Sequence, residues 1–217
     1  MNPQQREAFF ATLAKANPQP HSELEYTSVF ELLAAVLLSA QATDVSVNKA
    51  TRGLFPMANT PARLLALGLP ALEDRIRTIG LFRTKARHLL QTCEILMARH
   101  GGEVPRSREA LEALPGVGCK TANVVLNVAF GEPTVAVDTH VFRVANRTGL
   151  AQGDSALAVE KTLLERVPER YLSDAHHWLI LHGRYVCQAR KPLCDACAVA
   201  SCCDFAAGRA QSPKSAP

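Results

Sequence analysis

Five of the seven cysteines in this 217-residue chain fall between positions 187 and 203. Cys187, Cys194, Cys197 and Cys203 follow a C-x6-C-x2-C-x5-C spacing, with Cys202 beside the last of them. Zinc ribbons use two separated C-x2–4-C pairs, and only one such pair is present here. A single loop supplying four thiolates suits a cubane 4Fe–4S cluster, and a disulfide reading is poor in a reducing compartment. Adjacent cysteines do not readily aim at one cluster, so either Cys202 or Cys203 is the fourth ligand. A second chemistry-bearing group is Lys120, in the first turn of a helix that follows Leu114-Pro115-Gly116-Val117-Gly118. A cation there opposes the helix dipole, which in turn disfavours the ammonium. A nucleophilic amine needs that, because at a pKa of ~10.4 only about 0.04% is neutral at pH 7. Burial would raise the neutral fraction further. The other use of such a lysine is as a point charge for phosphate. Asp138, in Val137-Asp138-Thr139-His140, stands where a helix N-cap is expected. One carboxylate oxygen can cap while the other serves a reaction.

These groups need rigid elements to hold them, and helical signals dominate. Ser28 caps a run to Ser39, with Glu31 placed to close a capping box. Thr60-Pro61 opens a helix through Leu67. Residues 73–79 and 84–99 read as two more, separated by Gly80 and stopped at Gly101-Gly102. Residues 107–114 and 119–130 form a helical pair around Pro115-Gly116-Val117-Gly118. Further helices are expected over 139–147, 155–166 and 173–186. Val124 to Val128 is β-branched enough for a strand but reads as helix, since Asn123 and Asn127 share a helical face. Thr134 to Val137 could also be a strand and reads as extended or loop. Many short helices give an all-α fold in two lobes. The tail, residues 208–217, reads as frayed.

The hairpin glycines let a partner approach the backbone, and the free N–H groups opening the next helix suit a phosphate oxygen. Gly116, Val117 and Gly118 therefore form a sequence-independent grip on a nucleic acid backbone. Arg190 and Lys191, between the first two clustered cysteines, would sit on a rigid rim suited to phosphates. The net charge of +4 agrees with a polyanionic partner, while Arg75, Arg77, Arg83, Lys85 and Arg87, with no acid among them, read when taken alone as a cluster on solvated helix surfaces. The longest apolar run, Leu32 to Leu38, is far short of the ~20 residues of a membrane span. The N-terminus lacks the apolar core of a signal peptide. A soluble cytoplasmic protein is expected. Cys93 and Cys119 read as small hydrophobes, and Trp178 as core.

Taken in order, these motifs resemble the bacterial endonuclease III family, helix-hairpin-helix DNA glycosylases with abasic-site lyase activity. The resemblance extends to Leu37-Leu38-Ser39-Ala40-Gln41-Ala42-Thr43-Asp44 and to His176 through Arg184. It implies Lys120 as nucleophile and Asp138 as its acidic partner. It implies Cys187, Cys194, Cys197 and Cys203 as the ligands of a 4Fe–4S cluster, choosing Cys203 over Cys202. Gln41 would fill the gap left by an extruded base, and Leu81 would wedge into the stack. Thr121, His140 and Arg184 join the expected DNA contacts. The resemblance further implies a six-helix lobe over residues 22–132 carrying the hairpin (about 107–130). Residues 1–21 with 133–207 would form a cluster lobe around the loop 187–203. DNA, double-stranded with a damaged base or abasic site, would bind in a cleft between the lobes. The implied activity is removal of oxidised pyrimidines with β-elimination at the abasic site, by a monomer associated with the nucleoid. Cys119 stands where the family is usually basic, which removes one possible phosphate contact. The alternatives are a monofunctional adenine-mismatch glycosylase, against which Lys120 and the chain length argue, and a non-catalytic DNA-binding iron–sulfur protein.

Overall fold

The computed structural model describes residues 1–211, with side chains to residue 208. The chain folds as α1 (Pro3–Ala16), α2 (Val29–Ser39), α3 (Asp44–Leu54), α4 (Pro61–Leu67), α5 (Leu69–Ile76), α6 (Phe82–Arg99), α7 (Arg108–Glu112), α8 (Cys119–Phe130), α9 (Thr139–Thr148), α10 (Ala156–Arg166), α11 (Leu172–Tyr185) and α12 (Asp204–Gln211). Among the described residues there is no β-strand. No helix among them is long and apolar enough to cross a membrane. The chain divides into two compact units, Ser22–Glu132 and Met1–His21 together with the chain from Pro133 onward.

The unit of residues 22–132 is built on α2. Every residue from Phe30 to Leu38 is buried. A helix apolar on all sides must be surrounded, and α3, α6 and α8 pack against it. Leu54, Leu64, Leu72, Leu89, Leu96 and Leu111 complete its core at 0% exposure. Each such leucine contributes about 1.5–3 kcal/mol on burial. Ser28 caps α2 by accepting from the Glu31 N–H. The expected capping box does not close on Ser28. The Glu31 carboxylate instead accepts from the backbone N–H and hydroxyl of Thr27.

The other unit packs α1, α9, α10 and α11 around Phe9, Phe10, Val141, Val144, Leu163 and Leu179. Trp178 is core, 5% exposed, and its indole N–H donates to the Asn17 carbonyl at 2.8 Å. A Cβ on Gly183 would meet the His140 Cβ at 2.8 Å, so only glycine lets α11 lie this close to α9. Residues 134–137 form neither helix nor strand, and Val135, Ala136 and Val137 are buried. The frayed tail expected from Gly208 is corrected for its first part: 208–211 are the last turn of α12, and the rest lies outside the described residues.

Candidate functional site

The hairpin takes its shape from one glycine. Gly116 has φ +77°, a left-handed conformation, and a Cβ there would stand 2.8 Å from the His88 Nδ1. Leu114 and Val117 anchor the turn in the core. The Thr92 hydroxyl on α6 donates to the Pro115 carbonyl at 3.2 Å. Gly118 is the N-cap of α8 and supplies no side-chain acceptor. Seven other helices have a polar side chain capping their first N–H groups, whereas α8, like α5, α6 and α11, has none. Nothing lies within 4 Å of a Cβ built on Gly118. A helix start without a side-chain cap is the arrangement that suits an anion. Lys120 is exposed in this first turn, and Thr121 beside it is half-buried. Within this unit the Lys120 side chain stands clear of the core.

Two further residues of the same unit carry an unusual backbone. Gln41 (φ 55°) and Leu81 (φ 58°) are the non-glycine residues in the left-handed region among those described. Each such conformation costs roughly 1–2 kcal/mol, and strain of this kind gathers at functional sites. Both side chains are exposed, Leu81 to 61%. Their turns adjoin, since a Cβ on Gly80 would lie 3.9 Å from the Gln41 carbonyl oxygen. An amide and an apolar side chain are thus presented together on rigid turns.

In the other unit, Asp138 caps α9. Its Oδ1 accepts from the N–H groups of His140 and Val141, both at 2.8 Å. One oxygen is committed to the cap and Oδ2 is left for other work, the division the sequence allowed. His140 is half-buried, its Nδ1 3.2 Å from the Arg143 Nη2. Arg184 is half-buried on the last turn of α11.

The cysteine loop encloses one small cavity. Cys187, Cys194, Cys197 and Cys203 line it, and Cys202 does not. Cys202 is buried instead, its Sγ 3.8 Å from the Ser201 hydroxyl. Burial pushes the Cys197 and Cys203 thiols up from the usual range, and the neighbouring cysteines push the same way. Thiols crowded like this stay ionised only around a cationic centre. Among the described residues no three metal-ligating side chains converge as ligands of one ion would. Four sulfurs around a shared cavity fit a 4Fe–4S group. The loop is braced from α9. Arg143 donates to the carbonyls of Gly183 (2.8 Å) and Cys187 (3.0 Å). Arg147 donates to those of Gln188 and Ala189, both at 2.8 Å, and lies over the Phe205 ring. Arg190 and Lys191 are exposed on this braced loop.

Residues 34–169 match the HhH-GPD superfamily base excision DNA repair protein family. The chain is 58% identical over 205 residues to endonuclease III of Haemophilus influenzae, an alignment covering 94% of this chain and 97% of that protein. This chain belongs to the endonuclease III family. Endonuclease III of Escherichia coli strain K12 matches to the same extent. Among solved structures, that of a trapped endonuclease III–DNA covalent intermediate has a TM-score of 0.90 at 47% identity, covering 97% of this chain and 100% of that one.

Within this endonuclease III fold, the structure adds residues that sequence reasoning placed differently. Cys119 is not a plain small hydrophobe. It is half-buried at the start of α8, with the Arg108 Nη2 2.6 Å from its Sγ. A guanidinium from α7 thus reaches the start of α8. Lys85 leaves the surface cluster it was counted in, because it is buried. Arg143 and Arg147 carried no signal in the sequence beyond helix-surface charge, yet they hold the cysteine loop.

Proposed function

We propose that this protein finds oxidised pyrimidines in double-stranded DNA, removes them, and nicks the abasic site through a covalent lysine intermediate. Its family makes it a bifunctional DNA glycosylase of base-excision repair. The observation that carries the lysine reading is the exposed Lys120 in the first turn of α8, directly behind a hairpin that leaves this helix start without a side-chain cap. A purely structural helix start would place an acid there, not a cation.

In this reading, Gly116, Val117 and Gly118 hold a backbone phosphate, and Thr121, His140 and Arg184 add contacts. Leu81 enters the stack as Gln41 fills the space of the extruded base. The neutral Lys120 amine attacks C1′. The N-glycosidic bond breaks, and its electron pair leaves with the base, which picks up a proton. Asp138, through the oxygen not used in capping, takes the amine proton and offsets positive charge developing on the sugar. The C1′–O4′ bond opens, O4′ takes up a proton, and the resulting Schiff base between C1′ and Lys120 acidifies the C2′ proton. Loss of that proton expels the 3′ phosphate, and hydrolysis releases Lys120. Cys187, Cys194, Cys197 and Cys203 would hold a 4Fe–4S cluster, whose contribution is a structural cross-link that fixes Arg190 and Lys191 on a rigid rim. The protein acts as a monomer.

Family membership speaks against the adenine-mismatch and non-catalytic alternatives. The test uses matched duplexes carrying one oxidised pyrimidine, one abasic site, one A·G mismatch or no lesion. Base release and strand cleavage on the first and cleavage on the second are expected. Release of adenine alone, without cleavage, would overturn the proposal.

A further inference from the structure

Lys85 is a buried cation that the excision chemistry does not use. It is 5% exposed in the unit of residues 22–132. Its ammonium donates to one acceptor, the Leu38 carbonyl oxygen, at 2.9 Å. Burial holds its pKa below the usual lysine range, with no acid opposing the effect. A methionine would fill the same space without the cost of desolvating a charge. What the ammonium adds is therefore its one bond.

That bond joins two helix ends. Leu38 lies in the last turn of α2, where unsatisfied carbonyls and the dipole favour a cation. Neighbouring carbonyls are met locally, Val36 by the Ser39 hydroxyl at 2.8 Å and Ser39 by the Ala42 N–H at 3.0 Å. The Leu38 carbonyl is met from α6. Lys85 is also tied through its backbone, its N–H donating to the Leu81 carbonyl at 3.1 Å. One residue thus bonds the end of the helix that leads into Gln41 and the residue Leu81 itself. Gln41 and Leu81 are the two strained, exposed positions described above.

We propose that Lys85 is a positioning residue that locks the Gln41 turn against the Leu81 turn, so that plug and wedge enter the duplex as one piece. This rests on the reading that those two side chains enter DNA. The experiment compares Lys85→Met in the wild-type background and in a Gln41→Ala/Leu81→Ala background, using cluster-loaded full-length protein. Single-turnover excision of an oxidised pyrimidine is measured, with the unstacking signal of a 2-aminopurine beside the lesion, the dissociation constant for undamaged duplex, and Tm. In the wild-type background, Lys85→Met is expected to slow excision about tenfold or more and to blunt the 2-aminopurine signal, leaving undamaged-duplex affinity within about twofold. In the double-alanine background the same change is expected to cost less than about twofold, because the residues it acts through are gone. Lys85→Gln, too short to keep the bond, replaces Lys85→Met if the latter does not fold. Unchanged excision, or an equal loss in both backgrounds, would overturn the proposal and leave the functional reading standing. Full activity of Gln41→Ala/Leu81→Ala itself would overturn both the plug-and-wedge reading and this proposal.

Discussion

Asp138 carries two roles that substitution can pull apart. Its Oδ1 accepts two backbone N–H bonds at 2.8 Å, from His140 and Val141. An asparagine offers the same oxygen on the same short stem, so Asp138→Asn keeps the cap and loses only the charge beside the helix dipole, about 0.5 kcal/mol. Asp138→Ala loses cap and charge together, about 1.5 kcal/mol. For a chain of this length those figures lower Tm by about 1–2 °C and about 3–6 °C respectively. Catalysis follows a different order. If the carboxylate takes a proton and offsets charge on the sugar, both variants lose it alike, and single-turnover excision falls about 100-fold or more. That is about 2.7 kcal/mol of barrier, well above the stability cost of the asparagine variant. Thermal denaturation and excision kinetics on both variants supply the assay. Excision by Asp138→Asn within threefold of wild type would refute the reasoning and leave Asp138 a helix cap.

Three other predictions follow the same geometry. Gly116→Ala places a Cβ against His88 in a left-handed turn, so it lowers Tm with a cost of about 1–3 kcal/mol, whereas Gly118→Ala, opening on empty space, keeps Tm and weakens undamaged-duplex binding several-fold; equal Tm for the two would contradict the hairpin account. Leu81→Ala, at an exposed site, changes stability by less than about 0.5 kcal/mol and slows excision about tenfold, and an unchanged rate would remove the wedge role. Cys203→Ser abolishes iron binding by the purified protein while Cys202→Ser retains it, and the reverse pattern of iron content would show that the cavity lining misassigns the fourth ligand.

The hairpin was legible because glycine marks both ends of α8: Gly118 before Cys119 and Gly131 after Phe130 punctuate the segment. Thr60-Pro61 and Asp138 gave equally firm helix starts, since capping is a local interaction. The helix α3 went unread, because Asp44 to Leu54 is largely polar and its apolar stripe is narrow, only Val47, Ala50 and Leu54. The helix expected over 73–79 instead spans Leu69–Ile76. Pro70 in its first turn and Gly68 before it were the missed signals, and the turn into Leu81 ends it early. The N-terminal helix α1 entered through family resemblance alone. At the site, residue types and spacing picked out Lys120, Asp138 and the cysteine loop, but not which groups brace them. That Lys85 is buried while Arg83 and Arg87 are exposed depends on packing against α2, which lies some fifty residues away in sequence. Strain at Gln41 and Leu81 is likewise invisible in sequence, since neither is a glycine or asparagine.

The central claim is a covalent bond between Lys120 and the sugar. Borohydride trapping on a duplex with an abasic site, run with wild type and Lys120→Ala in parallel, tests it most directly. A covalent protein–DNA adduct with wild type and none with Lys120→Ala is the expected result. An adduct of equal yield from Lys120→Ala, or none from active cluster-loaded wild type, would contradict the account.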